Sequence, residues 1–195
     1  MRPAPISSDA GTTQGQTNSM RFRTARSNRS LGVGRRVRVL SYGSVTAPSR
    51  RYFDEIQVGE EYESPGRTVT EADIVIFAGL SGDYNVLHTD AEFMKQSIFG
   101  ERIAHGLLGL AIQAGLFTRA THPYATLAFV GLRWKFKGPV KIGDTIRLRA
   151  KVIGKKETSK PDRGLIIVQR TVLNQRGEIV QEGETDLMVE RRQRP

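Results

Sequence analysis

The sequence predicts an α+β domain in which a curved antiparallel sheet wraps around one central, buried helix. Three observations carry that prediction. Between His105 and Ala120, the residues Leu107, Leu108, Leu110, Ala111, Ile112, Ala114, Leu116 and Phe117 cover almost the whole circumference of a helix. A helix apolar on all sides has to be enclosed by other protein. The chain that follows alternates with period two: Leu132, Trp134 and Phe136 between Arg133, Lys135 and Lys137, then Ile146, Leu148, Ala150 and Val152 between Arg147, Arg149 and Lys151. That is the pattern of half-buried antiparallel strands with one wet face. Two more strands, from Leu165 to Leu173 and from Glu178 to Val189, flank Asn174-Gln175-Arg176-Gly177, a short hairpin turn. One helix and then a meander of about four strands leave the sheet nothing to curve around except that helix.

Taken in order, residues 1–50 come first and differ in kind from the rest. They hold nine Arg, no Lys and a single acid, Asp9, among many Ser, Thr and Gly. Such a segment cannot bury enough surface to offset its ordering entropy, so it is expected to be a disordered basic tail. Three readings stand for it: a start-site artefact with translation beginning at Met20 or later, an organelle transit peptide, or a basic arm. The domain itself is expected over 51–195. It opens with a strand from Glu61 to Val69. Thr70 and the acids Glu71 and Asp73 then mark a helix N-terminus, and the helix runs to the Ser81-Gly82 break. Asp83 to His88 reads as a loop. Thr89-Asp90-Ala91-Glu92 has the form of a capping box, so a short helix begins at Asp90 or Ala91. Gly106, Gly109 and Gly115 sit in the central helix at up to ~1 kcal/mol each against Ala, which points to close approach of a neighbouring backbone. Turns follow at Lys141-Ile142-Gly143-Asp144 and over 159–164.

The whole-chain figures exclude several classes of function. The net charge is +10, but residues 1–50 contribute +8 of it, leaving a nearly neutral domain with 21 Lys+Arg against 19 Asp+Glu. A basic groove for nucleic acid on the folded domain is therefore not expected. The chain has no cysteine, so disulfides, thiolate metal sites and a cysteine nucleophile are ruled out. No apolar run approaches the ~20 residues needed to span a bilayer; the longest, Leu107 to Phe117, is interrupted by Gln113. The expected location is the cytoplasm, or the mitochondrial matrix if the tail is a transit peptide.

Chemistry concentrates at Asp83 and His88. A carboxylate beside an imidazole suits gripping one water and moving its protons. Five residues apart on a helix, the two would leave well-separated faces; on a compact loop both can point at one spot. From the residues alone a structural role competes, because Asp and Asn in a Gly-Asp-Tyr-Asn loop often bond only the local backbone.

The stretch Ala78-Gly79-Leu80-Ser81-Gly82-Asp83-Tyr84-Asn85-Val86-Leu87-His88-Thr89-Asp90, followed by Ile103-Ala104-His105-Gly106-Leu107-Leu108, resembles the signature of the MaoC-like dehydratases, the (R)-specific enoyl-CoA hydratases. Their motif is roughly [ST]-G-D-x-N-P-[LIV]-H, then H-G-[ML] at the start of the central helix. The similarity runs from about Tyr52 to Glu190 and takes in Phe136-Lys137-Gly138-Pro139-Val140 and the Gly143-Asp144 turn. The motif's proline is replaced by Val86, which removes one fixed φ angle. The resemblance implies a hot-dog fold and reversible hydration of a trans-2-enoyl thioester to the (R)-3-hydroxyacyl thioester. It implies Asp83 and His88 as the pair holding the catalytic water, Asn85 supporting the loop, and Gly106 donating its backbone N–H to the thioester carbonyl. His105 is expected to be structural. Tyr84, Phe93 and Phe99 are expected to line the acyl tunnel. The substrate is carried by coenzyme A or acyl carrier protein, with no metal or organic cofactor. Arg133, Lys135 and Lys137 could meet its phosphates, but are expected to form a solvated face. The partner is a second copy of the chain, in a homodimer or higher homo-oligomer. Two rivals share the fold: a thioesterase, disfavoured because Leu107 to Thr118 holds no Asp or Glu, and a non-catalytic acyl-binding member, disfavoured by intact Asp83, Asn85 and His88.

Overall fold

The computed structural model describes residues 50–119 and 123–192; the tail expected over residues 1–50 lies outside them apart from Arg50. The domain begins with a 3-10 turn at Phe53–Glu55 that buries Phe53. The strand expected from Glu61 to Val69 is two short strands, β1 (Glu61–Glu63) and β2 (Arg67–Thr68). Between them Pro65 has no N–H to give to a ladder. Both pieces pair antiparallel with β4 (Thr145–Glu157), Glu61 opposite Lys151 and Arg67 opposite Ile146.

Helix α1 (Glu71–Ser81) starts as its sequence indicates. The Thr70 side chain accepts the Asp73 N–H while the Asp73 carboxylate accepts the Thr70 N–H, a reciprocal cap. It stops at Gly82, whose φ of 76° places it in the left-handed region that glycine enters without strain. The next stretch corrects the sequence reading. Residues 86–89 form a helical turn, α2 (Val86–Thr89), capped by Asn85. Val86 therefore occupies the first helical position, where proline is favoured but not required. The following helix, α3 (Ala91–Lys95), is capped by Asp90 and not by Thr89. The Thr89 hydroxyl instead donates back to the carbonyls of Tyr84 and Asn85.

The central helix is α4 (Gly106–Thr118), followed by β3 (Thr126–Phe136), β4, β5 (Arg163–Leu173) and β6 (Ile179–Glu190). The sheet order is β1-β4-β5-β6-β3. Only β4, β5 and β6 form a meander, so the expected four-strand run is corrected at its first member. β4 has β5 on one side and β1 with β2 on the other, so β3 has no free edge there and pairs with β6.

Ile146, Leu148, Ala150 and Val152 of β4 are buried with Ile166, Val168 and Leu187, against Leu108, Ile112 and Leu116 of α4. Their alternating neighbours Arg149 and Lys151 face out and pair with Glu63 and Glu61. The described residues of one chain leave one side of α4 and much of β3 uncovered. The sheet covers a single face of α4: Leu107 is 59% exposed, and Ala111 and Ala114 are exposed. On the edge strand β3, Leu127, Phe129, Val130, Leu132 and Phe136 are all 43–53% exposed. The helix glycines also differ from expectation. A Cβ at Gly106 would stand 2.9 Å from the Phe136 ring and one at Gly109 2.2 Å from Gln181 Nε2, whereas one at Gly115 would meet nothing. The close neighbours are side chains, not backbone. Finally, β5 turns Arg170 inward, where its guanidinium lies 3.8 Å from the centre of the Phe117 ring and donates to Gln113 Oε1. Burial pulls that group down to about 10.

Candidate active site

Three elements converge at the N-terminus of α4. Gly82 ends α1 and turns the chain into Asp83. One carboxylate oxygen of Asp83, Oδ1, accepts the Asn85 N–H at 3.2 Å, so the loop anchors one edge of the group. The other, Oδ2, lies 3.9 Å from Nε2 of His88. Asn85 does not bond across the loop; its side chain accepts the Leu87 N–H and starts α2. That turn carries His88, on its third residue, back toward Asp83. A five-residue separation that would fail on one continuous helix succeeds because a bend lies between the two residues.

His88 is buried and Asp83 exposed. The Ile103 backbone locks the imidazole in place. Its carbonyl sits 2.7 Å from His88 Nδ1 and its N–H bonds the Leu87 carbonyl. A carbonyl can only accept, so Nδ1 carries a proton and Nε2 is the ring nitrogen left facing Asp83. The 3.9 Å gap is too long for a direct hydrogen bond. A water hydrogen-bonded at ~2.8 Å to each atom, donating to the carboxylate, would span it. The Arg102 guanidinium, clamped on both oxygens of Glu71, reaches the His88 carbonyl at 3.5 Å and ties α2 to the start of α1.

His88 and Gly106 open onto one cavity of about 370 Å³, which Phe99, Phe136, Lys137 and Gln181 also line. Phe136 leaves no room for a side chain at position 106, which explains the glycine. As the first residue of α4, Gly106 has no acceptor four residues back for its N–H. Thr70, Asn85 and Asp90 cap their own helices through side chains, but the His105 side chain makes no such bond to α4. Gly106 thus borders the cavity at the uncapped, positive end of the α4 dipole. Of the three residues expected to line an acyl tunnel, Phe99 borders this cavity, while Tyr84 and Phe93 are exposed and do not. Arg133 pairs with Glu184 and Asp186, and Lys137 with Glu182, on an exposed strand face.

The sequence reading passed over the packing of His105. Its ring is stacked on that of His88, centres 3.7 Å apart and planes 29° apart. Asp83, His88 and His105 offer ligand-type atoms within 4.8 Å of one another. Nearly parallel stacked imidazoles do not aim their in-plane lone pairs at a common point, however, and His105 Nε2 is already spent on the Asp83 carbonyl. The arrangement suits a polarised water better than a cation. Among the described residues no helix is long and apolar enough to cross a membrane.

Comparison with known proteins bears on the fold and the family. A Mycobacterium tuberculosis protein described as having a double hot-dog fold superposes with a TM-score of 0.65 at 24% identity, over 75% of this chain and 46% of that one. The fold is the hot-dog fold. The MaoC like domain model matches residues 55–172. The (R)-specific enoyl-CoA hydratase of Rhodospirillum rubrum is 38% identical over 139 residues, 71% of this chain and 91% of that protein. The chain belongs to the MaoC-like domain family. MaoC of Klebsiella aerogenes is 46% identical over 118 residues, but that stretch is 60% of this chain and only 34% of that protein. A monoamine oxidase regulatory protein from Archaeoglobus fulgidus, 38% identical, superposes with a TM-score of 0.71 over 76% of this chain and all of that one.

Proposed function

We propose that the domain catalyses reversible hydration of a trans-2-enoyl thioester to the (R)-3-hydroxyacyl thioester. The observation that carries this reading is the 3.9 Å gap between His88 Nε2 and Asp83 Oδ2, beside a cavity bordered by Gly106. A water in that gap is gripped by an acceptor on each side. As its oxygen attacks C3, the pair takes up one proton and returns a proton to C2 on the same face, so the addition is syn and no atom is left over. Charge that builds on the thioester oxygen meets the Gly106 N–H and the positive end of α4, an arrangement worth ~3–4 kcal/mol of barrier in comparable sites. Asn85 contributes by starting α2 and so aiming His88. The chemistry asks for no metal or organic cofactor. Coenzyme A is the simplest carrier, with acyl carrier protein as the alternative, and Phe99 borders the space for the acyl group.

The second copy has a physical rationale. The described residues of one chain leave an open edge on β3 and an uncovered face on α4, and both carry apolar side chains. Pairing β3 with its counterpart in a homodimer satisfies the edge and covers the patch.

Incubation with crotonyl-CoA and longer enoyl-CoAs tests the reaction, following loss of the conjugated-thioester absorbance and chiral analysis of the product. Asp83→Asn and His88→Gln are each expected to lower kcat at least ~100-fold, the usual scale for a positioned acid–base group, while the far-ultraviolet spectrum is retained. Release of free thiol without hydroxyacyl product would instead identify a thioesterase. Near-normal turnover in either variant would refute the assignment of the pair.

A further inference from the structure

His105 has four features that a plain core histidine does not need. It occupies the N-cap position of α4 yet gives its own helix no side-chain bond. Its Nε2 lies instead 2.9 Å from the carbonyl oxygen of Asp83, twenty-two residues earlier in the chain. A carbonyl only accepts, so Nε2 carries the proton, and the remaining ring nitrogen, Nδ1, is buried with no partner among the described residues. A Ser, Asp or Asn at this position would cap the helix and leave no orphan; the histidine does neither. Its ring stacks face to face on His88 at 3.7 Å and packs on Phe77 at 5.0 Å. At 2% exposure the side chain has no room to swing.

One rigid ring therefore touches both members of the proposed pair. It fixes the backbone of Asp83 through a hydrogen bond and the plane of His88 through stacking. Asp83 needs such a tether. Its exposed carboxylate is otherwise steadied by the Asn85 N–H at 3.2 Å, a bond within the same loop that moves whenever the loop moves. We propose that His105 is a positioning residue that sets the distance between Asp83 and His88, resting on the reading of those two as the water-binding pair. Its ring, held by that hydrogen bond and that stack, keeps the gap at one water's width. His105 takes no part in proton transfer, because Nε2 is engaged by the Asp83 carbonyl and Nδ1 is buried.

The test separates the two contacts. His105→Phe keeps an aromatic ring to stack on His88 but has no donor for the Asp83 carbonyl. His105→Gln keeps an N–H donor at the reach of Nε2 but loses the ring. His105→Ala loses both. Each is assayed for kcat and KM with crotonyl-CoA, with thermal melts to confirm folding and 15N NMR of the histidines to read the His88 tautomer. The expected result is a kcat loss of ~100-fold or more in the alanine variant, the scale on which a misplacement of about 1 Å acts. KM should change less than about threefold, and each of the other two variants should recover part of the loss. Where the alanine variant does not fold, the Gln and Phe variants carry the test: slowed kcat with unchanged KM in both supports the proposal. Wild-type kcat in any folded variant lacking the donor, or an effect confined to KM, overturns it. If Asp83→Asn and His88→Gln are also active, the reading of the pair has failed. If those two are dead while His105→Ala is fully active, only the positioning role has.

Discussion

Replacing Gly109 by alanine sets two physical effects of opposite sign against each other. Helix propensity alone says that alanine inside α4 stabilises the fold by up to ~1 kcal/mol. The tertiary surroundings say the reverse. The new methyl would stand 2.2 Å from Nε2 and 3.0 Å from Cδ of Gln181, a side chain only 2% exposed. That amide donates to the Gly106 carbonyl at 3.0 Å and accepts from the Trp134 indole at 3.1 Å. It cannot retreat without giving up both bonds. Each is worth ~1 kcal/mol net, and a polar group left buried without a partner costs a further ~1–3 kcal/mol. A loss of ~3–5 kcal/mol against a gain of ~1 leaves Gly109→Ala less stable by ~2–4 kcal/mol. The assay is urea unfolding followed by far-ultraviolet circular dichroism, reading the midpoint shift at constant m. Gly115→Ala is the internal comparison, since nothing lies within 4 Å of its Cβ position, and it should stabilise by up to ~1 kcal/mol. A Gly109→Ala protein as stable as the wild type, or more stable, would show that Gln181 does not pin this turn of the helix.

Asp144 gives a test in acid. Burial pushes its carboxyl up, but the Lys141 N–H, Gln175 and Arg176 more than offset this, and the net direction is down from the ordinary value. A lowered folded value means the contribution is complete above the ordinary carboxylate range of about pH 4 and fades as pH falls through the folded value. The stability gap between wild type and Asp144→Asn should therefore narrow when urea midpoints are compared at pH 6, 4 and 3; a constant gap would contradict the sign. For assembly, light scattering on the wild type should report at least a dimer. Placing Lys at both Val130 and Leu132 should shift it toward monomer; a monomeric wild type would refute pairing through β3.

Much of the domain follows from sequence-local physics. Thr70 and Asp73 cap α1 whatever surrounds them, Gly82 ends it through its free choice of φ, and the alternation on β4 sorts Ile146, Leu148, Ala150 and Val152 from Arg147, Arg149 and Lys151. These are interactions between residues a few positions apart, so their pattern is written along the chain. Asp83, His88 and Gly106 could be named because a motif resembles a family's. Periodicity alone would have left Asp83 and His88 as turn residues.

Only the tertiary structure decided the rest. That β3 pairs with β6 depends on β1 and β2 already occupying the edge of β4, a competition no local pattern records. The inward Arg170 defies polarity rules, because Phe117 and Gln113 arrive from elsewhere to meet it. The need for glycine at 109 comes from Gln181, seventy-two positions later. The neighbours of His105, the Asp83 carbonyl and the His88 imidazole, are likewise brought to it by folding. Distances between groups remote in sequence are set by packing, and at this site packing sets the spacing on which the proposed chemistry depends.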